Sequence, residues 1–133
     1  MTSQEYEMLL SFQVARLVTN YNTSWDDGRF SEVGSCFIED GVFVDPRGRA
    51  HEGRAAIEAF GEKSRERFGP TRHITANHDV SESASGWTHR CCVVFISGLG
   101  RPDKTMTTGR YDDEFVLGPD GPLFTVRRIS LDQ

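Results

Sequence analysis

The C-terminal half of the chain carries four runs of β-forming residues, Thr71 to Ser81, Trp87 to Ser97, Thr105 to Leu117 and Phe124 to Leu131, parted by short turns rich in Ser, Gly, Pro and Asp. Successive runs at this spacing are joined as hairpins, so they predict one antiparallel sheet, and a sheet with an apolar face must be covered. The N-terminal half supplies the cover. Thr2-Ser3-Gln4-Glu5 has the form of a capping box, and Leu10, Val14, Leu17, Val18 and Tyr21 then recur at three- and four-residue steps. This spacing predicts an amphipathic helix from Ser3 to about Asn22. A polar break from Thr23 to Gly28 precedes a short second helix over Arg29 to Phe37, with Phe30, Val33 and Phe37 on one side and a weak point at Gly34. Ile38 to Val44 reads as a strand ended by the turn Asp45-Pro46-Arg47-Gly48, with Ala50-His51-Glu52 as its short partner. Arg54 to Phe68 reads as a third helix carrying Ile57, Phe60 and Phe68, stopped by Gly69-Pro70. Helices first and strands after is the order of an α+β fold.

Composition narrows the function classes. A chain of 133 residues, 37% of them hydrophobic, suits one domain over residues 1–133 with a core of its own. Fifteen Lys and Arg against twenty Asp and Glu give a net charge of −5, and the basic residues are scattered, so a nucleic-acid partner is not expected. No apolar run approaches the ~20 residues of a membrane span, and Met1-Thr2-Ser3-Gln4-Glu5 lacks the basic stretch and apolar block of a signal peptide. The expectation is a soluble cytoplasmic protein. Cys36, Cys91 and Cys92 are odd in number and two are adjacent, which argues against a disulfide framework. There is no Cys-x-x-Cys or His-x3-His spacing, and His51, His73, His78 and His89 are dispersed, so no metal site is expected.

Three polar clusters stand out. Asp26 and Asp27 suit the capping of the second helix, where a carboxylate is favoured. Strand alternation puts His73, Thr75, Asn77 and Asp79 on one face. Facing solvent, these are ordinary surface residues; lining a cavity, His73 is a candidate base, because histidine ordinarily titrates near neutrality. Arg110-Tyr111-Asp112-Asp113-Glu114 lies within a strand, where ion pairing across an exposed sheet face accounts for it. Cys91-Cys92-Val93-Val94-Phe95-Ile96 reads as a strand buried on both sides, and Gly98-Leu99-Gly100-Arg101-Pro102 as a hairpin turn rather than a phosphate loop.

Taken together the segments resemble the SnoaL-like group of the nuclear transport factor 2-like superfamily, to which scytalone dehydratase and polyketide cyclases belong. The resemblance covers nearly the whole chain. It rests on Tyr21 to Phe30, similar to the family's Tyr-x4-Asp-x-Gly-x-aromatic start, on Cys36 to Phe43, and on Glu52 to Phe60, similar to Gly-x3-Ile-x2-Phe. Thr71-Arg72-His73-Ile74 and Gly109-Arg110-Tyr111-Asp112-Asp113 follow in order. It implies a cone-shaped α+β barrel, with N-terminal helices packed on a curved mixed or antiparallel sheet that encloses a pocket.

In scytalone dehydratase-like members an Asp and a His matched here by Asp26 and His73 form a catalytic pair. The resemblance therefore implies a cofactor-independent lyase, isomerase or cyclase acting on an apolar carbonyl-bearing or polycyclic metabolite. In it His73 moves a proton and Asp26 orients the ring. Tyr21, Trp25, Asn77, Arg110 and Tyr111 are candidates for binding or polarising the substrate, and Phe43, Phe60 and Val94 for its apolar wall. Scytalone dehydratase has a second catalytic histidine on the strand matched by Cys91 to Phe95; that segment is apolar here and His89 lies upstream, so scytalone itself is not the expected substrate. Two alternatives stay open: a non-catalytic binding or assembly module of the same fold, and an epoxide hydrolase-like enzyme built on Arg110 and Asp112. The β-rich half, with its aromatic and β-branched residues, is also expected to pair with a second copy as a homodimer.

Overall fold

The computed structural model describes residues 1–132. The elements in chain order are α1 (Ser3–Asp26), α2 (Phe30–Gly34), β1 (Phe37–Val44), β2 (Ala50–Glu52), α3 (Arg54–Phe68), β3 (Thr71–Ser83), β4 (Gly86–Ser97), β5 (Thr105–Gly118) and β6 (Gly121–Leu131). The six strands form one sheet in the order β2-β1-β6-β5-β4-β3, antiparallel throughout except for the parallel pairing of β1 with β6. β2 and β3 are its two edges, so the sheet curves around the helices without closing into a complete barrel.

The capping box forms: Thr2 Oγ1 accepts from the Glu5 N–H and the Glu5 carboxylate from the Thr2 N–H, both at 3.0 Å. From there α1 buries Leu10, Val14, Val18, Tyr21 and Trp25 against the sheet. Each such side chain contributes roughly 1.5–3 kcal/mol on burial. The helix does not stop at Asn22. It runs four residues further because the segment from Thr23 to Asp26, polar in sequence, has an inward side: Ser24 is fully buried and Trp25 packs edge-on to Phe30. The stop comes at Gly28, whose φ of 74° no L side chain adopts easily. The second helix is correspondingly shorter than expected, and Arg29, not an aspartate, precedes it.

On the other side α3 crosses α2 at Gly61, where a Cβ would run into the Phe30 ring. Arg54 ties the start of α3 to β1 through two hydrogen bonds to the Phe37 carbonyl, at 3.1 and 2.8 Å. The core is one aromatic-rich cluster, from Leu10 and Val14 through Tyr21, Trp25 and Phe37 to Tyr111, Phe115 and Phe124. Among the described residues no helix is long and apolar enough to cross a membrane.

Two strands differ from the sequence reading. β3 has a bulge between Ala76 and Asp79, with Asn77 in the left-handed region at φ 59°, so the alternation that holds from Thr71 to Thr75 is broken there. β4 is buried on one face only: Cys91 and Val93 are buried while Cys92 is exposed.

Candidate active site

The end of α1 and the start of β3 bring Asp26 and His73 together. His73 Nδ1 lies 2.6 Å from Asp26 Oδ1, and both side chains are buried, 3% and 8% exposed. Asp26 also accepts from the Thr71 hydroxyl at 2.8 Å and from the His73 backbone N–H at 3.0 Å. A carboxylate at a helix C-terminus sits against the negative end of the helix dipole. These three donors offset that, and so Asp26 anchors the helix to the sheet rather than capping α2.

With its carboxylate accepting, Asp26 makes Nδ1 the protonated nitrogen of a neutral His73 and leaves the lone pair on Nε2. No hydrogen bond from the described residues occupies that nitrogen. The imidazole is enclosed by aromatic rings: Phe95 at 4.8 Å between centroids, Trp25 at 5.8 Å and Tyr21 at 6.4 Å. Trp25 continues the wall to Phe43 and Phe60, at 6.2 and 6.1 Å. A groove of about 390 Å³ opens beside the pair between α1 and β3, lined by Thr19, Asn22, Asp26, Arg72, His73 and Thr75 among others.

Deeper in, Tyr21 and Tyr111 meet edge to face at 6.0 Å, and the Arg127 guanidinium lies over both rings, 4.3 and 3.6 Å from their centroids. Arg127 is fully buried, and its Nε, Nη1 and Nη2 make no hydrogen bond to the described residues. Its nearest carboxylate is Asp113 Oδ1, 3.6 Å from Nε. Burial, against the pull of Arg127, pushes the Tyr111 hydroxyl up to about 12. Burial likewise raises Tyr21 well above the usual phenol range, with Tyr111 adding to it. Both phenols therefore stay protonated at neutral pH.

Of the sequence candidates, Tyr21, Trp25, Phe43, Phe60 and Tyr111 share the interior with Asp26 and His73. Three do not. Asn77 is exposed, because the bulge turns it away from the face of His73 and Thr75. Val94 shares the outer face of β4 with Cys92, and the inward position beside His73 belongs to Phe95. Arg110 is on the outer face of β5, where it pairs with Asp112 at 3.3 Å and Asp112 with Arg90 at 3.0 Å. Arg110 and Asp112 thus supply no interior water-activating group. Sequence reading passed over Thr71, Phe95 and Arg127. The available signal for Arg127 was its parity with Ile129, which faces Tyr111 from the neighbouring strand as Arg127 faces Asp113.

Residues 7–128 match the family model of the SnoaL-like domain, and the chain belongs to that family. No curated protein matches the sequence. Among solved structures, the chain is similar to the function-unknown Rv3472 protein of Mycobacterium tuberculosis, a variant form, with a TM-score of 0.87 at 19% identity over 100% of this chain and 78% of that one. It is also similar to ActVI-ORFA of Streptomyces coelicolor, with a TM-score of 0.78 at 23% identity over 90% and 95% of the two chains. A scytalone dehydratase-like protein of Novosphingobium aromaticivorans gives a TM-score of 0.81 at 20% identity over 98% and 87%. At these identities the likeness establishes the fold.

Proposed function

We propose that the protein is a proton-transferring lyase, isomerase or cyclase for an apolar, carbonyl-bearing or polycyclic metabolite, working without a cofactor. The supporting observation is the bond of 2.6 Å between His73 Nδ1 and Asp26 Oδ1, which leaves Nε2 as the free nitrogen of a ring that packs against Phe95 and Trp25 and borders the groove. In this reading Nε2 takes a proton from the carbon next to a carbonyl, Asp26 stabilises the imidazolium, and the proton returns to a leaving hydroxyl or to another carbon. The developing enolate oxygen is met by the neutral Tyr21 and Tyr111 hydroxyls, with the Arg127 charge behind them. Trp25, Phe43 and Phe60 supply the apolar wall. The scytalone dehydratase-like neighbour is consistent with this chemistry.

The test is solvent-deuterium incorporation into a panel of cyclic and aromatic ketones in D2O. Wild type is expected to exchange the acidic C–H of at least one class above background. His73→Asn lowers that rate by about 10²–10⁴, the usual share of a positioned general base. Ligand binding without exchange, unchanged in His73→Asn, would instead identify a binding module.

We also propose a homodimer formed through the outer face of the sheet. Ile74 and Met106 are exposed there, at 55% and 71%, and Val94 lies between their strands. Sedimentation is expected to give twice the 15.0 kDa chain mass at micromolar concentration, and a monomer would refute the pairing.

A further inference from the structure

A second cluster stands further along the same strands, with Cys91 four and His89 six residues down β4 from Phe95, which at ~3.3 Å per residue is roughly 13–20 Å from the His73 site. Here the bulge in β3 sets Asn77 and His78 against Cys91, and it turns His78 to the face shared by His89 and Cys91. His78 Nδ1 lies 2.9 Å from His89 Nε2. On its other side His89 Nδ1 is 2.7 Å from Asp113 Oδ2, with both side chains fully buried. The Cys91 sulfur completes the group: one ligand atom from each of His78, His89 and Cys91 falls within 4.8 Å of the others.

This geometry points to a binding site for a zinc-class divalent cation, held by His78 Nδ1, His89 Nε2 and Cys91 Sγ, with Asp113 as the carboxylate that orients His89. The donor set decides the class of ion. Two imidazole nitrogens and a sulfur suit a borderline-soft metal, whereas magnesium and calcium take oxygen ligands. The Asp113–His89 bond is the carboxylate–histidine arrangement that fixes the tautomer of a ligating imidazole and leaves its Nε2 lone pair directed at the ion. At zinc–nitrogen and zinc–sulfur lengths of about 2.0–2.3 Å, the ligand atoms of a tetrahedral site stand roughly 3.3–3.9 Å apart. The nitrogens at 2.9 Å need to part slightly and the sulfur to move in, adjustments a side-chain rotation can make. His78 is exposed while His89 and Cys91 are buried, so the ion has an entry from solvent and a fourth position open on that side. Arg127 is the opposing positive charge. Asp113, 3.6 Å from its Nε, and the thiolate formed when Cys91 releases its proton both offset it.

The four histidines are dispersed in sequence and make no zinc spacing; the sheet register and the bulge are what gather two of them around Cys91. This inference does not depend on the proton-transfer reading of His73.

The experiment uses metal-free full-length protein titrated with Co²⁺, then with Zn²⁺. The expected result is one Co²⁺ per chain with tetrahedral ligand-field bands and a thiolate-to-cobalt charge-transfer band, all displaced by one equivalent of Zn²⁺. Cys91→Ala is expected to remove the charge-transfer band. His78→Gln, at an exposed position that leaves the core intact, weakens Co²⁺ at least tenfold, and Asp113→Asn weakens it about 10–100-fold, as expected for an orienting partner. Cys92→Ser is expected to leave the spectrum unchanged. Absence of the charge-transfer band in wild type, its loss in Cys92→Ser, or unchanged affinity in His78→Gln would overturn the site.

Discussion

The His73–Asp26 and His89–Asp113 pairs are bonded at nearly the same length, 2.6 and 2.7 Å, and both are buried, yet their surroundings differ. Asp26 accepts from two further donors, and the far nitrogen of its histidine makes no hydrogen bond to the described residues. Asp113 has a fully buried guanidinium beside it, and the far nitrogen of its histidine is engaged by His78. A histidine–aspartate bond therefore does not by itself mark an acid–base group. What the second ring nitrogen meets decides the chemistry: an unengaged nitrogen beside a groove at one end of the sheet, and a set of converging ligand atoms at the other. A third pair underlines the point, since Asp45 accepts from His51 at 2.9 Å and from the Arg47 and Arg49 N–H groups, and so holds a turn.

The largest expected effect breaks the inner pair. Asp113→Ala leaves the Arg127 charge buried without its carboxylate, which costs about 3–5 kcal/mol. Urea unfolding measures it, and a loss under 1 kcal/mol would mean that Arg127 has another partner. Asp26→Ala removes three accepted hydrogen bonds and is expected to cost about 2–4 kcal/mol. Asp26→Asn keeps the shape and is expected to cost less, while lowering proton transfer together with His73→Asn. Equal stability losses in Asp26→Ala and Asp26→Asn would place the contribution in charge rather than in hydrogen bonding.

A smaller effect separates the pairs by pH. Partial desolvation of its ring against the sheet, with the neighbouring His89 adding to it, lowers the otherwise exposed His78 from the usual histidine value. The folded state then binds fewer protons than the unfolded state, so this contribution is complete above the unfolded value of 6.5 and declines as pH falls through the folded value. Asp45 acts at lower pH. Burial raises it, but the hydrogen bonds from His51 and from the Arg49 and Arg47 N–H groups outweigh that and hold it below 3.8. Its contribution is present above 3.8 and is lost as pH falls through the folded value. Melting temperature against pH is expected to show both declines, and His78→Gln to remove the one that begins below 6.5.

Much of this was legible in the sequence. The capping box, the third helix and the four β runs follow from local chemistry, and Asp26 and His73 stand on segments whose motifs fix their order. The rest depended on contacts that no local pattern carries. Polar Thr23 to Asp26 stays helical because Ser24 and Trp25 are buried by partners distant in sequence. One extra residue at the β3 bulge sends Asn77 out and His78 in, and the tolerance of Asn for the left-handed region was the single local signal. β4 is apolar from Cys91 to Ile96 on both parities, so the sequence leaves its phase open, and the inward position beside His73 belongs to Phe95 rather than Val94. Arg110 and Tyr111 show the opposite case. Strand alternation alone forbids adjacent residues from sharing one pocket.

The most direct test is the tautomer of His73, read from ring ¹⁵N–¹H correlations at about pH 8, above the ordinary histidine range near 6.5. The account predicts the proton on Nδ1, bonded to Asp26, and an unprotonated Nε2. A proton on Nε2, or the averaged mixture of a solvent-exposed ring, would contradict it.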